Sequence, residues 1–315
     1  MQALSAVVPM VIKIGINPEI FSIGGLEITW HGLFTALGVV VGVVTAAILA
    51  RRAGIDDDTI YNVALFLVVG GIIGARALYV LEHLGDFEDE PAEIFAIQTG
   101  GISIYGALIG GTLGAVAYAA WRRLPRWGTM ADIAAIGGIL GMAVGRIGCL
   151  INGDIFARAT DWPIGIVYTN PDSPSYPVYS ATTPQIAQQP VTVYEILGDL
   201  VIFVLLLFVL RRVFKRPGMI FFSWAFLYSA LRFGVSFLRG TEVGGGLGVA
   251  GVWVGDDLVF AGLRVAQLIA LAVMVLAIIA VAFVYRDRRR QPARAERRRL
   301  ARAERPAAAK DTDSD

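Results

Sequence analysis

Residues 130–158 read MADIAAIGGILGMAVGRIGCLINGDIFAR. The first 22 are almost all small or aliphatic, which suits a helix crossing a bilayer, since such a span takes about 20 apolar residues. Arg146 nevertheless stands in the last third of that span, and Asn152 and Asp154 follow it closely. An arginine at a helix centre costs about 2.5–3.5 kcal/mol to insert, so a charge within a span points to a function. The Ile-Asn-Gly at 151–153 should end the helix in a turn and let backbone groups face whatever Arg146 serves.

The rest of the chain has the same character. Of 315 residues, 56% are hydrophobic and 17% charged, and the mean hydropathy is +0.65. Soluble domains carry roughly 25% charged residues, so these values point to an integral membrane protein. Seven segments are long and apolar enough to span: 30–50, 61–81, 101–121, 130–151, 193–210, 218–238 and 258–285. The expected fold is therefore an all-α integral membrane protein with seven transmembrane helices over 1–285. The 153–190 connection, with six prolines, reads as a small extracytoplasmic cap. Residues 286–315 read as a basic, disordered cytoplasmic tail lying against anionic lipid, with no part in nucleic-acid binding. No secretory signal is expected, because MQALSAVVPMVIKIG has no basic residue ahead of its short apolar run.

Orientation follows the basic residues, which favour the cytoplasmic side. Twenty of the 27 fall on alternate connections and the tail, whereas the other face has Lys13, Arg158 and Arg239. The amino terminus is thus placed outside and the carboxyl terminus inside. Four arginines remain within spans: Arg76, Arg146, Arg232 and Arg264. With that orientation all four lie in the outer half of the membrane. Snorkelling could explain one arginine near a helix end. Four on separate helices, against the positive-inside trend, point instead to a cationic pocket, and guanidinium groups grip phosphate with paired hydrogen bonds. A phospholipid headgroup is the natural occupant. His31, Tyr105, Tyr194, Glu195 and Gln267 share this level. Gly137, Gly141 and Gly145 recur every four residues, which permits close helix contact.

One cysteine, Cys149, excludes a disulfide framework and a thiol metal cluster, and two histidines, His31 and His83, leave little for a metal site; no metal and no cofactor are expected. Cys149 reads as a small core residue and His83 as an interfacial one.

With these residues in view, the chain resembles the prolipoprotein diacylglyceryl transferases of bacterial cytoplasmic membranes. The resemblance rests on GRIGCLINGDIFAR (145–158), FSIGGLEITWHGL (21–33), GGISIYGALIG (100–110), YE (194–195) and SALRFGVSFLRG (229–240), in order over roughly residues 17–285. It implies transfer of the diacylglyceryl group of phosphatidylglycerol to the lipobox cysteine of a prolipoprotein signal peptide, with release of glycerol phosphate and no metal or nucleotide. It further implies a multi-pass inner-membrane enzyme whose active site faces the outer leaflet. The implied catalytic residues are His31, Tyr105, Arg146 and Arg239. Contacts to phosphatidylglycerol are implied for Arg146, Asn152, Gly153, Asp154, Arg76, Arg232, Arg264 and Glu195. The chain departs from the family pattern at His31, where tyrosine is usual, and at Tyr105-Gly106-Ala107, where histidine and two glycines are usual. It departs again at Cys149 in place of asparagine and at Ala157 in place of glycine. The first two departures form a reciprocal exchange; if the positions face each other, a His–Tyr pair survives with His31 as the base. The departures leave a second reading, a relative that binds or moves phospholipid without chemistry. A small-solute transporter fits less well, because its site would lie near the midplane between repeated halves.

Overall fold

The computed structural model describes residues 11–24, 26–88, 90–95, 101, 103–179, 186–239, 258–260 and 262–308. The amino-terminal start, Gly100 and Ile102 of the 100–110 motif, part of the proline-rich connection, Gly240 and the acidic tip lie outside those residues.

Seven long helices carry the fold: α1 (Trp30–Arg52), α2 (Asp57–Glu82), α3 (Ile104–Trp121), α4 (Trp127–Asn152), α5 (Val191–Val213), α6 (Met219–Ser236) and α7 (Val265–Ala308). Among the described residues, six are long and apolar enough to cross a membrane; the helix at the expected third span, α3, is 18 residues long. Many large apolar side chains on these helices face outward, including Leu65, Ile73, Leu108, Leu276 and Phe283. Such a surface suits lipid rather than water. Two expectations need correction. Arg264 was expected inside the seventh span, but Leu263–Arg264 is a short strand paired with Leu258–Phe260, and α7 begins only at Val265. The turn between those strands contains Gly262 at φ +73°, which keeps the chain out of helix there. The stretch read as a disordered tail continues as helix from Arg286 to Ala308, where alanine, arginine and glutamate are good helix formers.

Two glycine seams join the helices in antiparallel pairs. On α1 and α4, a Cβ at Gly38 would run into the Gly141 carbonyl, and one at Gly137 into the Gly42 carbonyl. On α2 and α3, Gly74 and Gly106 each face the other's carbonyl, as do Gly70 and Gly110. Between helices in lipid there is little hydrophobic driving force, so close van der Waals contact between backbones does the work. Gly138, one residue from the α1–α4 seam, has open space where a Cβ would go. Gly141→Ala is therefore expected to lower the melting temperature in detergent, at a cost of about 1–3 kcal/mol from overpacking, whereas Gly138→Ala should not. Equal melting of the two variants would contradict the seam.

The buried core lies where α1, α4, α5 and α6 meet, around Ala47, Leu49, Ile136, Ile139, Ile202, Leu206 and Ile220. Asp132 of α4 fixes α6 there: its carboxylate accepts from the backbone N–H of Gly218 and Phe221, both at 2.8 Å. An acid at a helix start satisfies orphan donors and suits the positive end of the dipole.

At the other end of α4, Gly153 takes the left-handed conformation at φ +77° and ends the helix, as the Ile-Asn-Gly motif suggests. The cap satisfies carbonyls that a helix end leaves without partners. The Tyr168 hydroxyl donates to the Leu150 carbonyl at 2.8 Å, Ser173 Oγ to Asn152 at 2.7 Å, and Ser175 Oγ to Gly153 at 2.5 Å. Burial pushes the Tyr168 phenol above its usual range, which keeps it a donor. A parallel pairing of Ile12–Ile14 with Ile166–Tyr168 and the buried Gln188 side chain, which accepts from the Ala157 N–H at 3.0 Å, complete the cap.

Candidate active site

Glu195 stands in the second turn of α5 and is 2% exposed. A carboxylate buried that deeply must be paired, and three guanidinium groups from three segments meet it. Arg146 of α4 places Nη1 2.5 Å from Oε2, while Arg232 Nη1 and Arg239 Nη2 lie 3.0 and 2.8 Å from Oε1. Arg239, just past the end of α6, is held there by a bridge to Ala157, and its neighbour's carbonyl, Leu238, accepts from Arg158 N–H. Arg264 donates from Nη2 to the Arg239 carbonyl at 2.7 Å, and its own N–H is capped by Gln267 Oε1 at 3.0 Å. One turn beyond Glu195, Asp199 is fully buried with Oδ2 3.4 Å from Arg146 Nε. Tyr228 completes the ring, its hydroxyl 3.4 Å from Arg146 Nη2.

Charge is unbalanced here. Arg146, Arg232 and Arg239 face two carboxylates, and Arg264 adjoins them. A cluster with surplus positive charge in a medium of low dielectric attracts an anion strongly. Buried polar atoms of the cluster, among them Arg239 Nε, Asp199 Oδ1 and Gln267 Nε2, have no hydrogen-bond partner among the described residues, and neither does Asn152 Oδ1 at the end of α4. Buried orphans of this kind need an explanation, and a ligand is one.

The four spanning arginines do not all converge. Arg146 and Arg232 reach Glu195, and Arg264 joins through the Arg239 backbone. Arg76 is set apart: its guanidinium donates to the carbonyls of Glu93, Ile94 and Gly101 at 2.5, 2.8 and 2.8 Å and stacks near Tyr79 and Phe87. It pins the connection between α2 and α3 instead of joining the cluster.

His31, at the start of α1, belongs to a second group that forms where α1 meets the end of α4. Its Nδ1 lies 2.6 Å from Asp154 Oδ2 and 3.5 Å from Cys149 Sγ. Two glycines build this contact. A Cβ at Gly148 would collide with His31 Cα and the Trp30 carbonyl, so only glycine lets α1 start so close to α4. Gly153 then turns the chain so that the Asp154 N–H points back to the Cys149 carbonyl at 3.4 Å. Cys149 and Arg146 are three residues apart on α4 and thus share a face. The expected His31–Tyr105 pair is not seen. His31 pairs with Asp154, whereas Tyr105 is 44% exposed on α3, which packs along α2, and its hydroxyl has no hydrogen-bond partner among the described residues.

An apolar cavity of about 360 Å³ lies between α1, α2 and α4, lined by Thr35, Gly38, Leu67, Met130, Gly141 and Gly145 among others. Its α4 wall runs from 130 to 145, about 22 Å at 1.5 Å per residue. One end stops beside Arg146.

The prolipoprotein diacylglyceryl transferase family profile matches residues 18–283, nearly the whole membrane body and both groups of residues. The chain belongs to this family. It is 33% identical over 285 residues to the phosphatidylglycerol–prolipoprotein diacylglyceryl transferase of Trichormus variabilis, covering 88% of this chain and 92% of that one. The enzyme of the same name from Dehalococcoides mccartyi is 31% identical over 282 residues, 89% of this chain and 98% of the relative. That from Finegoldia magna is 31% identical over 259 residues, covering 82% and 92%. This diacylglyceryl transferase family member is accordingly an enzyme, a membrane transferase of lipoprotein biosynthesis. Asp199 and Tyr228 are cluster members that the motifs did not single out. For Asp199 a signal was available: Glu195 and Asp199 are four residues apart in an apolar helix, and intramembrane carboxylates at that spacing share a face.

Proposed function

We propose that the chain transfers the diacylglyceryl group of phosphatidylglycerol to the cysteine thiol of a prolipoprotein lipobox and releases glycerol phosphate. The observation that carries this reading is the meeting of Arg146, Arg232 and Arg239 on Glu195, with Cys149, one helical turn beyond Arg146, touching the His31–Asp154 pair. The phosphate of the lipid replaces part of the Glu195 pairing and takes the surplus positive charge, with Arg264, Asn152 and Gly153 at its border. One acyl chain extends into the cavity between α1, α2 and α4. The sulfur attacks the glycerol carbon that bears the phosphate. The C–O bond breaks and its electron pair leaves on the phosphate oxygen, where preorganised donors are worth roughly 10²–10³ each in rate. His31, oriented by Asp154, takes the thiol proton. Tyr105 faces outward at the same level and contacts the lipid or the signal peptide. In this reading α3 spans the membrane as well, which makes seven spans, the amino terminus is outside, and the site faces the outer leaflet of the inner membrane. The basic end of α7 lies on anionic lipid in the cytoplasm.

The test is the purified full chain in phosphatidylglycerol-containing liposomes with a lipobox peptide. The expected products are a peptide heavier by one diacylglyceryl group and an equal amount of glycerol phosphate, with neither from a peptide whose cysteine is replaced by serine. Binding of phosphatidylglycerol with no product from the cysteine peptide would favour a phospholipid-binding relative and overturn the proposal.

A further inference from the structure

His31, Cys149 and Asp154 come from places 118 and 5 residues apart in the chain, yet one donor atom from each lies within 4.8 Å of the others. The donors are an imidazole nitrogen, a sulfur and a carboxylate oxygen. That set is borderline soft and matches zinc better than magnesium or calcium, which take oxygen ligands. The spacing fits as well. With Zn–N near 2.0 Å and Zn–S near 2.3 Å, a nitrogen and a sulfur on one tetrahedral ion stand about 3.5 Å apart, and His31 Nδ1 and Cys149 Sγ are 3.5 Å apart. The His31–Asp154 contact at 2.6 Å would open by well under 1 Å to admit the ion. Charge balances too: one thiolate and one carboxylate neutralise a divalent cation. A neutral site costs less at a membrane boundary.

We propose that His31, Cys149 and Asp154 hold one divalent metal ion of the zinc class, with the fourth tetrahedral position open to a thiol. Three protein ligands and an exchangeable fourth position mark catalytic zinc sites, in contrast with closed structural ones. The site has an open side: the His31 side chain is 46% exposed and that of Asp154 27%. The thiol part of the inference rests on the transferase reading. When the acceptor cysteine binds the ion, its S–H proton passes to solvent and the sulfur stays as a metal-bound thiolate, since a coordinating thiol is deprotonated outright. That sulfur's lone pair then forms the bond to the glycerol carbon while the C–O bond breaks toward the phosphate at the arginine cluster. With the ion bound, Nδ1 of His31 serves as a ligand, and the cation replaces the imidazole as the agent that removes the proton.

The experiment uses the purified full chain in detergent, stripped with a chelator and titrated with Co²⁺, then with Zn²⁺. One cobalt ion per chain is expected, with a thiolate-to-cobalt charge-transfer band that Zn²⁺ displaces. Cys149→Ala should remove the band, and Asp154→Asn should weaken binding beyond the roughly 10–100-fold typical of losing an outer-shell partner; unchanged melting of the stripped variants excludes misfolding. A lipobox peptide with cysteine should intensify the band, and its serine analogue should not. Metal binding no greater in the wild type than in Cys149→Ala overturns the site, and no change with the cysteine peptide overturns the open position. These readouts need no turnover. Lipid transfer by metal-free enzyme with no cobalt band would remove this inference and leave the transferase reading intact, and a cobalt band without transfer would do the reverse.

Discussion

Arg146→Ala is expected to lower kcat/KM for lipid transfer by at least roughly 10³, the upper range for losing one preorganised donor at a developing charge. Arg146 is the cation nearest to both groups of the site, one turn from Cys149 and paired with Glu195 and Asp199. Lysine should not rescue it, because a point charge cannot bridge Glu195, Asp199 and a phosphate as a planar fork does. The loss must be separated from instability. Without Arg146, the fully buried Asp199 loses the partner of its ion pair, and breaking a buried pair costs about 3–5 kcal/mol. The double variant Arg146→Ala/Asp199→Asn removes the stranded charge. It should recover much of the melting temperature and none of the activity, and recovery of transfer would show that Arg146 serves stability alone.

Glu195→Gln should have the opposite profile. The wild-type carboxylate holds three guanidinium groups at 2.5–3.0 Å. Glutamine keeps the shape and removes the charge, leaving three cations facing only Asp199. The unliganded variant is expected to lose about 3–5 kcal/mol of stability, as for other broken buried pairs. An added phosphate anion should then stabilise the variant more than the wild type, because it no longer competes with Glu195 for the same donors. Melting curves with increasing phosphatidylglycerol, read through the dependence of stability on ligand concentration, check both halves. Equal ligand-induced shifts in the two proteins would mean that the lipid phosphate does not approach this cluster.

The helices could be read from the sequence because a span needs a long apolar run, and no other part of a chain has a reason to contain one. The glycine spacing on α4 likewise foretold a tight seam, since the period of four keeps one face of a helix clear. Arg239, placed beyond the spans, stood out only through the family resemblance, Glu195 because it opens a span at the level of the arginines, and Arg146 and Arg232 because a charge in hydrocarbon has to be explained. Arg76 met the same criterion and yet holds three backbone carbonyls, because a guanidinium satisfies carbonyls as readily as phosphate and the sequence does not distinguish the two. The His31–Cys149 contact was out of reach for a different reason. It depends on α1 lying against the end of α4 at Gly148, a tertiary approach that no local pattern encodes. Arg264 was misplaced because apolar residues on both sides of it look alike in a strand and in a helix over so short a length.

The two glycine seams differ in how soon their halves are made. The α2–α3 seam joins neighbours in the chain and can zip together as soon as both have left the ribosome. The α1–α4 seam joins Gly38 to Gly141, so the first helix must wait in the bilayer for about 100 residues, roughly 5–20 s at ordinary rates of synthesis. During that interval its bare glycine stripe faces lipid, and the His31 corner of the candidate site has nothing to dock against until the fourth helix arrives.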